Sequence, residues 1–288
     1  MTRPRIRPRN ASRTRRRPRA PRALAALLAV VWALVAGFPV YYMIITSLKT
    51  QAGFFNAPLG LPPRRPTLAN YHRVIFSEGI THDFLNSVVV TLVSVAVALA
   101  LSMLAAYVIV RVDRRWVRWT LNLFLLGLAV PIQAVIIPVF ALVNSLHIYD
   151  TLWALILPSA GFAMPITVLI LANFFRDIPR SLFEAMGLEG ASHLTILRRL
   201  VLPLALPAMA SIGIYDAVNV WNNFLFPLVL TQSQGVQVLP TALYQFQGQF
   251  GIEVPPLMAA VVLSAAPLLV LYAVARRSFL RALAGGFV

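Results

Sequence analysis

The chain has 288 residues, of which 59% are hydrophobic and only 12% are charged, and its formal net charge is +16. A soluble domain is about 45–50% apolar and about 25% charged, so this chain cannot bury its apolar side chains in one water-facing globule. It contains no cysteine, which excludes a disulfide-stapled secreted domain, and its high apolar content excludes intrinsic disorder. The composition predicts an integral membrane protein with one polytopic domain.

The N-terminus is strongly basic. Ten arginines lie between Arg3 and Arg22, without any acidic residue, directly before the first apolar segment. A basic arm can bind nucleic acid, but an arm that leads into an apolar helix is typical of a cytoplasmic tail held near anionic lipid. We interpret residues 1–23 as a basic cytoplasmic tail and predict no nucleic-acid partner.

Six stretches are long enough to cross a membrane, which requires about 20 mostly apolar residues. They are, in chain order, Leu24–Ser47, Phe84–Val110, Trp116–Val143, Leu152–Phe175, Leu202–Leu230 and Met258–Ala275. The first is too long for a typical signal-peptide core and no A-x-A-like site follows it, so we expect an uncleaved helix. Together they predict a six-span domain over residues 24–276, followed by a short cytoplasmic tail over 277–288.

Most of these stretches contain proline, and the second carries a small residue at every fourth position. Proline breaks are tolerated in lipid only where neighbouring helices or water satisfy the freed backbone groups, which favours a packed bundle around a polar route. The small residues are Ser94, Ala98, Ser102 and Ala106. They fall along one side of a helix and predict close packing against another helix, not a function.

The distribution of basic residues predicts the orientation. With a cytoplasmic N-terminus, the inside segments (the tail, 111–118, 176–199 and 276–288) hold 21 of the 25 Lys and Arg residues. The outside segments hold four, which are Lys49, Arg64, Arg65 and Arg73. Because basic residues are enriched in cytoplasmic loops, both termini are expected on the cytoplasmic side.

Sequence motifs of enzymes are absent. A phosphate-binding Walker loop needs Gly-Lys followed by Ser or Thr, but the single lysine follows Leu48. No H-E-x-x-H or G-x-S-x-G motif occurs, and the four histidines are scattered over different segments. We therefore predict a non-enzymatic chain without cofactor or metal, which takes its energy from an ion gradient or from a partner.

Residues 176–202, between the fourth and fifth spans, form a longer connection than a helical hairpin requires. Pro179 suits the start of a short helix, Gly190 permits a tight turn, and Ser192 is a good N-cap for a second short helix. The expected apolar faces are Leu182, Phe183 and Met186 in the first helix and Leu194, Leu197 and Val201 in the second. Two short helices that meet at a glycine form a compact protrusion suited to docking in a cleft.

This segment resembles the "EAA" signature of importer permeases, the membrane subunits of ATP-binding-cassette systems that work with a substrate-binding protein. The matching residues are Glu184-Ala185, Gly190-Ala191-Ser192 and Leu202-Pro203. Further matches are Thr46-Ser47-Leu48-Lys49, Asn70-Tyr71, Asn86-Ser87, Ala105-Ala106-Tyr107 with Arg111, and Trp221-Asn222-Asn223-Phe224. Met186 and Glu189 depart from the family's usual Ala and Asp. The set covers residues 24–286 and is similar to the second permease subunit of maltose-type sugar importers.

The resemblance implies an all-α fold with six transmembrane helices and a cytoplasmic coupling segment over about 176–202. It implies that Glu184 contacts an ATP-hydrolysing subunit and that Gly190 forms the turn, with Ala185, Ala191 and Ser192 completing the motif. The implied partners are a second homologous permease, two cytoplasmic ATP-binding subunits and an extracytoplasmic substrate-binding protein that faces segments 48–83 and 231–257. A sugar or oligosaccharide would pass between the two permeases across the cytoplasmic membrane.

The fifth span contains a polar stripe. A charge at the membrane centre costs at least about 2.5–3.5 kcal/mol, yet Asp216 lies within this apolar stretch. At 100° per residue, Asp216, Asn219, Asn222 and Asn223 occupy an arc of about 120°, and Tyr215 and Phe226 project from the same arc. The stripe is a candidate translocation pathway for a hydroxyl-rich substrate. The alternatives are hydrogen bonds to a neighbouring helix or the pairing of Asp216 with an arginine of another subunit.

Three other functions compete with sugar import. A permease of the same family for glycerol-phosphate or another small polar solute is the main alternative. An ion-coupled secondary transporter usually shows more spans and an internal repeat. A membrane scaffold without transport would leave the polar stripe unexplained.

Overall fold

A computed structural model describes residues 20–56, 60–77, 79–248 and 251–285. The α-helices in these ranges are α1 (Ala20–Ser47), α2 (Gln51–Asn56), α3 (Ala69–Phe76), α4 (Ile80–Arg111), α5 (Arg115–Leu128), α6 (Ile132–Ser145), α7 (Leu152–Arg176), α8 (Arg180–Leu188), α9 (His193–Ile196), α10 (Leu202–Trp221), α11 (Leu225–Leu230), α12 (Leu239–Ala242) and α13 (Val254–Gly285). The predicted all-α class is confirmed. Most of the predicted N-terminal tail, residues 1–19, lies outside the described residues.

The remaining elements are short and lie between the helices. A π-helical turn, Leu197–Val201, joins α9 to α10, and two 3₁₀ turns cover Gln234–Val236 and Leu243–Phe246. Two-residue strands, β1 (Gln247–Gly248) and β2 (Gly251–Ile252), pair antiparallel just before α13.

Five helical stretches in the described ranges are long and apolar enough to cross a membrane, and a sixth is formed if the bent pair α5–α6 counts as one. The first, Leu24–Ser47, has the predicted bounds. The last helix, α13, begins at Val254 and continues to Gly285, past Arg276 and Arg277, which follow its apolar part. It therefore extends helically into the segment that the sequence assigned to the C-terminal tail.

The third predicted span, Trp116–Val143, consists of two helices, and it counts as a span only if α5 and α6 are taken together. Helices α5 and α6 meet at an angle of 109° across a short break. Pro131, directly before α6, has extended backbone angles (φ −70°, ψ 136°), so the helical path is broken at this residue. Hydropathy alone did not reveal this bend because both arms are apolar.

The fifth span differs from the predicted Leu202–Leu230. One helical stretch runs from His193 to Trp221, through α9, the π-helical turn and α10, and α11 follows after a break. The second short helix expected in the 176–202 segment is therefore the start of this span and not a separate element.

Close packing of α4 against α7 forms the centre of the bundle. The small residues Ser94, Ala98, Ser102 and Ala106 are all fully buried, and Ser94 Oγ donates to the carbonyl oxygen of Ile156 at 3.3 Å. Such residues allow two helix backbones to approach each other. The predicted role of this stripe in packing is confirmed.

Candidate functional site

The 176–202 segment is held against the end of α4 by its short helix α8. Phe183 is 3% exposed and packs with Tyr107, Phe175 and Ile196. The guanidinium carbon of Arg111 lies 4.2 Å from the centroid of the Phe183 ring, which is a cation–π contact. Tyr107 Oη is 3.0 Å from His193 Nδ1. The Arg111 and Tyr107 of the sequence motif therefore contact α8 and the start of α9, respectively, and hold both against α4.

The turn after α8 has the geometry of a Schellman motif. The N–H of Ala191 donates to the carbonyl oxygen of Met186 and the N–H of Gly190 to that of Gly187, both at 3.0 Å. Gly190 has φ +75°, the left-handed conformation that this motif requires at its C′ position. Ser192 Oγ then accepts from the N–H of Thr195 at 3.3 Å and caps α9. The predicted turn and N-cap are both present.

Signature side chains lie on the surface of the segment. Glu184, Ala185, Gly190 and Ser192 are exposed, and Ala191 is half-buried. Leu188, at the end of α8, is 91% exposed. The segment thus presents an acidic and apolar surface on the side away from α4.

Two leucines of the predicted apolar faces are not buried. Leu182 is 42% exposed, because α8 packs on the bundle mainly through Phe183. Leu194 is 59% exposed, since the first turn of α9 projects beyond the bundle, and the buried residues are Ile196, Leu197 and Val201. The apolar faces expected for the two short helices are therefore only partly buried against the bundle.

A cavity of about 640 Å³ lies between the α5–α6 bend, α7 and α10. Its polar side chains are Gln133, Ser159, Asp216, Asn219 and Asn223, and its aromatic side chains are Phe162, Tyr215 and Phe224. The volume is within the range of about 300–1,000 Å³ that is typical of small-molecule sites. Asp216, Asn219 and Asn223 of the predicted stripe share this cavity.

Asp216 is 2% exposed and lies in the wall of the cavity. Thr167 Oγ1, on α7, donates to Asp216 Oδ2 at 2.8 Å. This pair joins α7 to α10, so the hydrogen bond to a neighbouring helix that the sequence left open does occur. Asp216 therefore both bonds to a neighbouring helix and lines the cavity.

The two cavity asparagines each have one polar atom engaged by the backbone. Asn219 Nδ2 donates to the carbonyl oxygen of Tyr215 at 2.8 Å, and Asn223 Oδ1 accepts from the N–H of Phe226 at 3.1 Å. Within the described ranges, no hydrogen-bond partner occupies Asn219 Oδ1 or Asn223 Nδ2. The pair can therefore offer an acceptor and a donor to a ligand hydroxyl.

Two residues of the predicted arc lie elsewhere. Asn222 is exposed, donates to the carbonyl oxygen of Val218 at 2.8 Å and does not line the cavity. Phe226 is 1% exposed and packs edge-on against Phe162, with ring centroids 5.5 Å apart. Helix α10 ends at Trp221, so an arc calculated for a continuous helix does not apply beyond that residue.

Sequence reasoning missed Gln133, Phe162 and Thr167. Gln133 of α6 and Phe162 of α7 line the cavity, and Thr167 of α7 contacts Asp216 in its wall, so all three are brought to the site only by tertiary packing. Gln133 is a polar residue within an apolar stretch and follows Pro131 by two positions, which is the one signal that could have identified it.

The other motif residues stabilise the end of the bundle opposite the 176–202 segment. Asn70 Nδ2 donates to the carbonyl oxygens of Ser47 and Lys49 at 2.7 and 2.8 Å, and so satisfies groups at the C-terminus of α1. Ser47 Oγ is 2.7 Å from Tyr71 Oη. The conformation of this end is therefore fixed by side chain to backbone hydrogen bonds.

Segment 231–243 is attached to α4 and to Asp150. Asn86 Nδ2 donates to the carbonyl oxygens of Gly235 and Gln237, at 3.2 and 2.8 Å. Asp150 Oδ1 accepts from the N–H groups of Gln232 and Ser233 at 2.8 and 2.9 Å, and these bonds hold the pKa of Asp150 below its usual range. In the part of the chain that the structure describes, no three acidic or histidine side chains are grouped to hold a metal ion.

The chain matches the model of a protein family described as "Binding-protein-dependent transport system inner membrane component" over residues 98–284. This range includes the whole 176–202 segment and every residue that lines the cavity.

Curated relatives span nearly the whole chain. The sulfoquinovosyl glycerol transport system permease protein SmoH of Agrobacterium fabrum is 32% identical over 86% of this chain and 87% of its own length. The trehalose/maltose transport system permease protein MalG of Thermococcus litoralis is 30% identical over 87% of this chain and 90% of its own length. The diacetylchitobiose uptake system permease protein NgcG of Streptomyces coelicolor is also 30% identical, over 88% of this chain and 85% of its own.

The fold is that of a solved importer subunit. A chain of a bacterial ABC transporter involved in the import of the acidic polysaccharide alginate superimposes with a TM-score of 0.81, covering 90% of this chain and 96% of its own. The sequence identity is 22%, so this likeness concerns the fold alone.

Proposed function

This chain belongs to the family of binding-protein-dependent transport system inner membrane components, and from that premise we propose that its cargo is a sugar or oligosaccharide. It is a membrane permease subunit of an ABC importer. The cavity between α7, α10 and the α5–α6 bend is, in this proposal, its part of the translocation pathway.

The observation that carries the proposal is the mixture of side chains in the cavity. Asn219 and Asn223 leave an acceptor and a donor without partners among the residues that the structure describes, and Gln133 adds a third amide. Phe162, Tyr215 and Phe224 supply aromatic surface. A sugar presents hydroxyl groups along its edges and apolar C–H faces, so this combination suits it. The names of the relatives, among them a trehalose/maltose permease, agree with a carbohydrate substrate.

The proposed partners are those that importers of this family need. A second homologous permease would complete the pathway, because the cavity is open on one side of this chain. Two cytoplasmic ATP-binding subunits would supply the energy, one of them docking on the exposed surface of Glu184, Ala185 and Leu188. An extracytoplasmic binding protein would face segments 48–83 and 231–257, at the opposite end of the bundle. This arrangement requires both termini in the cytoplasm, which agrees with the excess of basic residues there.

Transport through the cavity is tested by uptake into vesicles that contain the whole complex. With ATP inside, uptake is expected to continue in the presence of a proton ionophore. Asp216→Asn and Asn219→Ala are expected to change the rate or the apparent affinity, whereas Asn222→Ala, outside the cavity, is the matched control. Unchanged transport in both cavity variants would refute the pathway, and uptake abolished by the ionophore would refute ATP-driven import.

Docking of the ATP-binding subunit is tested by co-purification. Glu184→Lys and Gly190→Asp are expected to abolish uptake and to weaken association with the ATP-binding subunit, while insertion into the membrane is retained. Asp177→Lys is the control, because it makes the same change of charge at an exposed position before α8. Normal co-purification with both Glu184→Lys and Gly190→Asp would refute the docking proposal.

A further inference from the structure

Charge in the cavity is limited to one sign. Fourteen residues line it, from α5, α6, α7, α10, the α10–α11 connection and the start of α11. Apart from the hydroxyl of Tyr215, only Asp216 among them is ionisable. No Lys, Arg or His is among these described lining residues. The basic residues of the chain lie elsewhere, mainly in the segments assigned to the cytoplasmic side.

An anionic solute would lose hydration on entering such a cavity without gaining an opposite charge. Sites for phosphate and carboxylate groups normally supply Arg or Lys. The first residues of α6 and α11 also line the cavity, but a helix N-terminus carries only about half a positive charge, less than the full negative charge of Asp216. A like charge placed at a binding site is a common means of rejecting the wrong ligand. A neutral sugar has no such penalty, because amide and aromatic groups can satisfy its hydroxyl and C–H surfaces.

We propose that Asp216 is a specificity-determining residue that excludes anionic solutes from the cavity, so that the cargo is a neutral or cationic carbohydrate. Phosphorylated solutes such as glycerol-phosphate and sugars that carry acidic groups are rejected. This inference rests on the proposed function, since it assigns a charge class to the cargo of the same pathway. It also separates this chain from the structurally similar alginate importer, whose substrate is acidic.

The position of Asp216 allows its charge to act on a bound solute. It lies one turn before Asn219 on α10, and residues at this spacing have Cβ atoms about 5–6 Å apart. Its burial in the wall keeps water from screening it fully. Two unit charges at such a separation interact appreciably even at the effective dielectric constant of about 20 that suits protein sites.

The chain contains no cysteine, so a single introduced thiol can report the local charge. In the full transporter complex in vesicles, Asn219→Cys is treated with methanethiosulfonate reagents that carry a trimethylammonium, a hydroxyethyl or a sulfonatoethyl group. Modification of this chain is followed by mass spectrometry. Asn222→Cys, exposed and outside the cavity, corrects for the intrinsic reactivity of each reagent.

The ratio of cationic to anionic modification rates is expected to be about tenfold higher at position 219 than at position 222, which corresponds to about 1.4 kcal/mol. Adding Asp216→Asn should bring the ratios within about twofold, because asparagine keeps an acceptor for Thr167 but removes the charge. Adding Asp216→Glu should preserve the difference.

Equal ratios at the two positions, or a difference that survives Asp216→Asn, would overturn the exclusion of anions and leave the sugar pathway standing. Failure of all three reagents to modify position 219 in every nucleotide state would overturn the pathway as well. Uptake measured with the unmodified complex tests import itself, so the two failures are distinguishable.

Discussion

Replacement of Gly190 by alanine isolates the backbone conformation of the turn from every other effect. A Cβ atom added at Gly190 would meet nothing within 4 Å, so the substitution causes no collision. Its φ of +75° is nevertheless a conformation that L-residues disfavour by about 1–2 kcal/mol. The ratio of formed to open Schellman turn, which sets the position of Ser192 and α9 relative to α8, should therefore be about 5–30-fold lower than in the wild type.

Gly187, three residues earlier, is the matched control. A Cβ there also meets nothing within 4 Å, but its φ is not positive. Gly187→Ala should therefore stabilise α8, by up to about 1 kcal/mol, because alanine is the better helix former. Gly190→Asn should lose less than Gly190→Ala, since asparagine tolerates the left-handed region.

Hydrogen exchange measures this difference directly. The amide of Ala191, which donates to Met186, should exchange about 5–30-fold faster in Gly190→Ala and no faster in Gly187→Ala. Co-purification of the ATP-binding subunit should likewise weaken in Gly190→Ala and not in Gly187→Ala. Equal exchange in the two alanine variants would show that the left-handed conformation does not maintain the turn, and the argument would fail.

Three further predictions concern the remaining polar contacts. Because the pKa of Asp150 is lowered, its carboxylate should stabilise the hydrogen bonds from the Gln232 and Ser233 amides above about pH 4, and this stabilisation should be lost as the pH falls further. Hydrogen-exchange protection factors of these two amides should show the loss in the wild type but not in Asp150→Asn. Asn70→Asp cannot donate to the carbonyl oxygens at the end of α1, and thermal unfolding of the purified complex should reveal a loss of about 1–3 kcal/mol, similar to that of Asn70→Ala. Tyr107→Phe removes the hydrogen bond to His193 and should cost about 0.5–1.5 kcal/mol in the same assay, whereas an unchanged midpoint would contradict the assigned bond.

Hydropathy and local patterns predicted those parts of the structure that depend on neighbouring residues. The first span, the buried small residues from Ser94 to Ala106, the turn at Gly190 and the cap at Ser192 are all present. Each reflects a rule about helix period or backbone conformation that operates over a few residues.

The features that were not predicted depend on the angle between helices or on contacts between residues far apart in the sequence. The 109° bend between α5 and α6 does not change the apolar composition on which the span was predicted. Leu194 shares its predicted helix face with Leu197 and Val201, but it is 59% exposed whereas they are buried. The partner of Asp216, Thr167, is 49 positions away on α7, and no local pattern links the two residues.

The docking surface and the cavity are connected through a single helical stretch. It starts at the Ser192 cap, next to the signature residues, and reaches Asp216 after 24 residues, which corresponds to about 36 Å at 1.5 Å per residue. The π-helical turn interrupts it, because the N–H of Leu202 donates to the carbonyl oxygen of Leu197, five residues back, and Pro203 follows without an N–H.

This turn is therefore the point where the stretch has the fewest regular α-helical hydrogen bonds. A displacement of the 176–202 segment must either move α10 as a whole or be absorbed at the π-helical turn, whose inner residues Leu197 and Val201 are buried against the bundle. Because burial on that side restricts bending, we expect a displacement of the segment to move α10, and with it Asp216, rather than to be absorbed at the turn. The physical link between the proposed docking surface and the proposed pathway is thus the backbone of one helix, without need for a relay of side chains.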